Sequence, residues 1–209
     1  MLPLVLIAGG SCSGKSTLAW QVAEAMTGVE VTTCSIDNYY RDLSNLTPAE
    51  IDEYNFDQPE AIDDVRLIAD VKRLLKGKKV KMPVYNFVSH RQEGLRKIVP
   101  GDVIILEGLL ALHYINLVEL SQARIFVACS ADIRQTRRIN RDVTQRGRTV
   151  DQVLKQCAKT IEPMYKRFVM PGIVRADLVV PGDNLDLAVE RVKSLLQSKL
   201  SLLWVGSLL

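Results

Sequence analysis

The sequence predicts an α/β fold, a parallel sheet covered on both faces by helices, and three observations carry that prediction. Short apolar runs such as Leu4–Ala8 and Val103–Leu106 leave no polar face, as in strands buried on both sides. Stretches of helical periodicity separate these runs, the alternation that strand–helix–strand units produce. The first run passes through a glycine turn straight into a helical pattern.

In chain order, Leu4–Ala8 is the first expected strand and Ser16–Met26 the first helix, with Leu18, Val22 and Met26 on one stripe. Val29–Ile36 is rich in β-branched residues and reads as a strand that Asp37 ends. Residues 37–61 are polar, aromatic and irregular. Ile62–Leu75 has an amphipathic helical pattern, with Val65, Ile68, Val71, Leu74 and Leu75 on its apolar side. Lys79–Phe87 alternates enough for a strand or one arm of a hairpin. Asp102–Glu107 and Arg124–Cys129 are further strands, Ala131–Val143 and Val150–Phe168 helical, Leu178–Val180 a short strand, and Leu185–Lys199 the final helix. At 209 residues this is one domain, 1–209, without internal repeat or linker. A chain this size buries roughly 70% of its unfolded surface and needs no staples.

Composition narrows the function classes. Hydrophobic residues make up 47% and charged residues 24%, which excludes a disordered or coiled-coil chain. A net charge of +3 does not require a nucleic-acid partner. Cys12, Cys34, Cys129 and Cys157 are scattered, with no CxxC pair and neither His90 nor His113 near them in sequence. That pattern argues against a zinc site or disulfide framework and fits a reducing, cytoplasmic setting. The apolar opening lacks a basic leader, so it reads as a buried strand and not a signal segment. The apolar tail Leu200–Leu209 is too short to span a bilayer; a final helix packed on the body or on a neighbouring subunit is expected.

The chemistry begins at Gly9, Gly10, Ser11, Cys12, Ser13, Gly14, Lys15 and Ser16, followed by Thr17, which fit the phosphate-binding pattern GxxxxGK[ST]. Glycines let the backbone turn tightly and aim N–H groups at phosphate oxygens, and the following helix adds the positive end of its dipole. Lys15 would reach the β- and γ-phosphates of ATP, and the Ser16 hydroxyl would ligate Mg²⁺. The fold is therefore expected to be of the P-loop NTPase type. Val103–Glu107 places a carboxylate at the carboxyl edge of the sheet, where Glu107 could hold Mg²⁺ directly or through water, or simply cap a core strand. The guanine-reading NKxD, the DxxG of switch proteins and LSGGQ are all missing from the sequence, which leaves small-molecule kinases as the main class.

A kinase must also deprotonate an acceptor hydroxyl. Asp37 is the candidate, because it follows the second strand, near the phosphate loop. A lone Asp after a strand is otherwise a common turn residue. Arg134, Arg138 and Arg141 recur at helical spacing on one face, and Arg146-Gly147-Arg148 follows as a basic turn. Such cations can close over a triphosphate, although a solvated face or a nucleic-acid patch has the same pattern.

Seven segments together carry a resemblance: GGSCSGKST at 9–17, SIDNYYRD at 35–42, NFDQPEAID at 55–63, PVYNFVSH at 83–90, ILEG at 105–108, RRINRDVTQRGR at 137–148 and ADLVVPG at 176–182. In this order and spacing the chain resembles the phosphoribulokinase/uridine kinase family of P-loop kinases, and within it the uridine/cytidine kinases. The resemblance implies Asp37 as general base and metal contact, with Ser16 and Glu107 also at Mg²⁺. It implies Asp57 on the ribose hydroxyls, and Tyr85 and His90 at the pyrimidine. Arg138 and Arg141 would belong to an arm over the phosphates, and Arg146 and Arg148 to a lid loop. Lys15, Arg141 and Arg148 would stabilise the transferring group, with Arg138, Arg141 and Arg148 also touching substrate. An acceptor-binding insertion, a small β-hairpin and loop, would span about 37–99 and the lid about 137–150. The implied activity is phosphorylation of uridine or cytidine by ATP in cytoplasmic pyrimidine salvage, by a homo-oligomer, often a tetramer. Cys12 departs from the glycine usual in the family's loop, Asn86 from its usual Asp, and the nearby arginine is shifted to Arg91. A kinase for another hydroxyl, such as phosphoribulose or pantothenate, and a non-catalytic nucleotide-binding regulator are the rival readings.

Overall fold

The computed structural model describes residues 1–204. A five-stranded parallel sheet of order β2-β5-β1-β6-β7 is built from β1 (Leu4–Gly9), β2 (Val31–Ser35), β5 (Val103–Glu107), β6 (Ala123–Ala128) and β7 (Leu178–Pro181). β3 (Val80–Asn86) and β4 (Arg91–Ile98) form a separate antiparallel hairpin. The helices are α1 (Lys15–Ala25), α2 (Pro48–Glu53), α3 (Asp64–Leu75), α4 (Ile115–Leu120), α5 (Ala131–Arg146), α6 (Val150–Gln156), the short turn α7 (Glu162–Met164) and α8 (Leu185–Trp204). No helix among the described residues is long and apolar enough to cross a membrane.

The two-residue period of the strands sorts their side chains onto two faces. Leu4, Leu6, Ile104, Leu106 and Phe126 face one way and pack with Leu67, Val71 and Leu74 of α3. Val5, Ile7, Val103, Ile105, Ile125 and Val127 face the other way and meet Leu18 and Val22 of α1 and Ala188, Val192 and Leu196 of α8. Continuous apolar runs are what a sheet covered on both faces requires. Asp63 caps α3 by accepting the N–H of Arg66 at 3.1 Å. The buried stripe of α3 runs through Leu67, and Val65, expected on the apolar side, is 75% exposed.

Several boundaries differ from the sequence expectation. Residues 37–61 contain α2, closed by a capping box between Thr47 and Glu50. The second hairpin arm, β4, buries only Ile98, so it carries no apolar alternation to read. The helix expected over Val150–Phe168 proceeds from α6 through wide π turns at Cys157–Ile161 and Tyr165–Val169. α8 reaches Trp204, and Leu200 is buried on α1's side of the sheet. The rest of the apolar tail, from 205 on, lies outside the described residues.

One polar tie crosses the sheet edge. Asp177 accepts from the Arg124 backbone N–H at 2.8 Å and its guanidinium at 2.9 and 3.1 Å, and pairs with Lys199 of α8 at 2.9 Å. Burial pushes the Asp177 carboxyl up, but the Arg124 and Lys199 hydrogen bonds prevail and hold it down at about 2. A depressed folded-state pKa contributes stability above the unfolded value, lost as pH falls toward the folded one. The melting temperature should therefore fall between about pH 4 and pH 2. Asp177→Asn should be less stable at neutral pH and show a shallower acid limb; a limb parallel to wild type would contradict this.

Candidate active site

Three strands of the sheet end at one edge and release the chain into one space. β1 ends at Gly9 and β5 at Glu107, with Ile7 and Ser35 the register partners of Glu107. The loops after β1, β2 and β5 therefore open side by side at the carboxyl edge, where α/β sheets place their ligands.

The first loop, residues 9–14, leads into α1 at Lys15. Gly14 has φ 98, in the left-handed region that glycine adopts without a Cβ penalty. Cys12 has φ 61, also left-handed, a conformation that costs a residue with a Cβ. A second glycine braces the loop from outside: a Cβ on Gly182 would lie 2.2 Å from the Ser13 carbonyl oxygen. Arg137 ties the same parts together, donating to the carbonyls of Gly182 at 2.8 Å and Cys12 at 3.5 Å. Ser13 is fully buried, Lys15 is buried, and Ser16 and Thr17 are exposed on the first turn of α1.

Asp37 sits in a single 3₁₀ turn, Ile36–Tyr39, directly after β2, and its N–H donates to Ser35 Oγ at 3.3 Å. Glu107 is buried at the end of β5, and its Oε2 has no hydrogen-bond partner among the described residues. Burial pushes the Glu107 carboxyl up, Lys15 opposes this, and Asp37 adds to it, with the Ser35 and Ser16 hydroxyls close by. A buried, partnerless carboxylate oxygen beside a hydroxyl and a second carboxylate is a donor set suited to a hard divalent cation.

The remaining candidates converge on one cavity. Ser11, Lys15, Asp37 and Asp57 line it, together with His90 and the guanidiniums of Arg138, Arg141, Arg146 and Arg148. Asp57 is 6% exposed; burial raises its carboxyl and Arg138 opposes that. Phe56 and His90 stack with ring centroids 4.7 Å apart and planes 28° from parallel, forming an aromatic wall. Burial, then Arg148 and Arg146, lowers the His90 pKa, so the imidazole is neutral at pH 7. Tyr85 does not line the cavity: it is buried one layer behind, 5.3 Å from the Tyr40 ring, with its hydroxyl 3.4 Å from His90 Nδ1.

The arginines are organised by a residue of the 137–148 segment to which sequence reasoning gave no role. Asp142 of α5 is fully buried and faces Arg141 at 2.8 Å, Arg138 at 3.2 Å, Arg146 at 3.6 Å and Arg148 at 3.7 Å. Burial pushes its carboxyl up, but Arg138, Arg141 and Arg146 together pull it below the usual range. Gln156 of α6 joins the group, accepting from Arg138 at 3.1 Å and also from Arg148. Arg146 lies over the Phe87 ring at 4.7 Å, linking the cluster to the hairpin. Arg134 leaves the expected stripe: it pairs with Glu162 at 2.9 Å, stacks on Tyr165 and supports the loop from beneath. Tyr40, Phe56, Phe87, Leu109 and Gln156 are lining residues to which sequence reasoning gave no role. All but Leu109 and Gln156 fall inside the motif segments at 35–42, 55–63 and 83–90, which is the signal that could have found them.

This geometry agrees with what the chain is similar to. The family model described as "Phosphoribulokinase / Uridine kinase family" matches residues 4–193. A uridine kinase of Lactobacillus johnsonii is 38% identical over 204 residues, covering 95% of this chain and 96% of that protein. The uridine kinase-like protein 4 of Arabidopsis thaliana is 36% identical over 91% of this chain, which spans only 42% of that longer protein. Among solved structures, the phosphoribulokinase of Rhodobacter spheroides superposes with a TM-score of 0.63 at 18% identity, covering 88% of this chain and 73% of that one. That likeness concerns the fold alone.

Proposed function

Because the chain belongs to the phosphoribulokinase/uridine kinase family, and is thus a kinase, we propose that it moves the γ-phosphoryl group of ATP to the 5′-hydroxyl of uridine or cytidine. The observation that carries this reading is the single cavity shared by Lys15, Asp37, Asp57, the Phe56–His90 wall and four arginines. A base has an aromatic face to stack on and a neutral imidazole beside it. A ribose has the Asp57 carboxylate. A phosphate chain has Lys15 and the guanidiniums.

In this reading the nucleoside 5′-oxygen attacks the γ-phosphorus, its proton passes to the Asp37 carboxylate, and ADP leaves. Lys15 and the Asp142-anchored arginines hold the charge on the transferring group. Ser16, Asp37 and Glu107 would hold Mg²⁺, which would supply further neutralisation of the phosphate charge. Residues 1–209 act as one domain, 37–99 as its acceptor side and 137–150 as its lid. The setting is cytoplasmic pyrimidine salvage by a homo-oligomer.

A coupled ADP-release assay over uridine, cytidine, ribulose 5-phosphate and pantothenate tests the reading. Turnover with the two nucleosides is expected; turnover only with another acceptor, or ATP binding without turnover, would replace it. Within the lid, Arg141→Ala and Arg148→Ala should each lower kcat by about 10²-fold or more, with smaller effects on uridine affinity. A loss confined to uridine KM would move either residue out of the phosphoryl-transfer machinery.

A further inference from the structure

A second cavity, about 430 Å³, opens where α3 meets the base of the β3–β4 hairpin. Its walls carry five cations, Arg66, Arg73, Lys79, Lys81 and Lys97, and one acid, Asp70. None of the five makes an ion pair among the described residues, whereas the ion pairs of this protein lie elsewhere. Residues 72–97 hold nine Lys and Arg against the single acid Glu93, in a chain whose net charge is only +3.

The hairpin register sharpens the point. Lys81 and Lys97 are direct partners across the antiparallel ladder. Like charges facing each other there destabilise a sheet, although lysines also guard a free edge against pairing with another chain. Edge protection accounts for a lysine on each strand but not for three further cations around the same cavity, and local rules are most often broken where residues serve a function. Asp70 adds a second chemistry: its carboxylate already accepts the Tyr39 hydroxyl at 3.1 Å and retains capacity for another donor.

We propose that this cavity is a second anion site, which takes a phosphorylated small molecule bearing free hydroxyls. The phosphate lies among Arg73, Lys79, Lys81 and Lys97, and a hydroxyl donates to Asp70. The site is joined to the catalytic turn by two short links. Asp70 holds Tyr39, two residues from Asp37. Arg66 donates to Gln92 at 3.4 Å, which donates to the carbonyl of Tyr40, a residue lining the first cavity, at 3.0 Å. Occupancy therefore shifts uridine affinity; this second half rests on the nucleoside kinase reading, and the first does not.

Calorimetric titration of the full chain decides it, at 0.15 M salt and with the first cavity filled by a non-hydrolysable ATP analogue and uridine. Tripolyphosphate and ribose 5-phosphate should each give a saturable 1:1 isotherm. Lys97→Gln should weaken both at least 10-fold while leaving basal turnover unchanged and raising the melting temperature, because it removes the Lys81 clash. Asp70→Asn should weaken ribose 5-phosphate more than tripolyphosphate. Saturating tripolyphosphate should change the uridine dissociation constant at least twofold. Failure of both probes to saturate, or Lys97→Gln isotherms equal to wild type, overturns the site. Tight binding of a single-stranded RNA with steep salt dependence, while the small probes fail to saturate, makes this a nucleic-acid surface and overturns the proposal. If both probes bind but uridine does not bind to the first cavity, the kinase reading fails and the anion site stands.

Discussion

Asp37→Asn should lower kcat by about 10²–10⁴ while leaving ATP affinity close to wild type. The amide keeps the shape and the N–H contact to Ser35 but cannot accept the proton of the attacking hydroxyl. The 3₁₀ turn that carries Asp37 is fixed by β2 on one side and the buried Tyr39 on the other, so the substitution leaves the backbone in place. Steady-state kinetics with uridine, alongside a melting curve, check the expectation. Near wild-type turnover would assign the proton to another group. A parallel collapse of the melting temperature would show that the charge is needed for folding instead.

The second large effect concerns the sugar. Asp57 should make uridine a better substrate than 2′-deoxyuridine by about 10²-fold or more in kcat/KM, because a buried carboxylate loses its partner when the hydroxyl is missing. Asp57→Ala should cost uridine more than deoxyuridine and compress that ratio to within about 10-fold. A capping role for Asp57 is the competing account. The turn at Pro59–Ala61, however, has no side-chain cap, and the Asp57 side chain faces the cavity. Measuring both substrates on both proteins separates the two: an unchanged ratio with an intact fold removes Asp57 from the ribose.

The parts of this molecule legible in its sequence are those whose cause is local. Leu4–Ala8 and Val103–Leu106 are apolar throughout because both their faces are covered, and the glycine turn after Ala8 needs only its own residues to form. The positions of Asp37 and Glu107 follow from strands that end at one edge. What escaped depends on partners distant in sequence. Arg134 shares a helical face with Arg138, yet Glu162 and Tyr165 draw it away from the cavity. Asp142 looks like an ordinary solvated acid among arginines until α5 and the following turn bring four guanidiniums to it. Tyr85 and Tyr40 both lie in aromatic motifs, and only the packing of the hairpin on the turn after β2 decides which one reaches the cavity. The sequence of α3 allows more than one helical phase, because Val65, Leu67 and Ile68 are neighbouring apolar residues, and packing on the sheet selects the phase that buries Leu67 and exposes Val65.

The carboxylate of Asp142 also sets how the site meets its ligand in solution. One negative charge among four guanidiniums lets the arginines gather before any nucleotide arrives, and the cavity stays net positive, because Lys15, Arg138, Arg141, Arg146 and Arg148 outnumber Asp37, Asp57 and Asp142. A polyphosphate approaching from bulk solvent feels that excess within about 8 Å at physiological ionic strength, the screening length there. Capture is thus accelerated by a field that is assembled in advance, and it slows as salt rises. The arginines are held near one another by a buried acid before a phosphate chain reaches them, which spares the chain the cost of gathering four like charges.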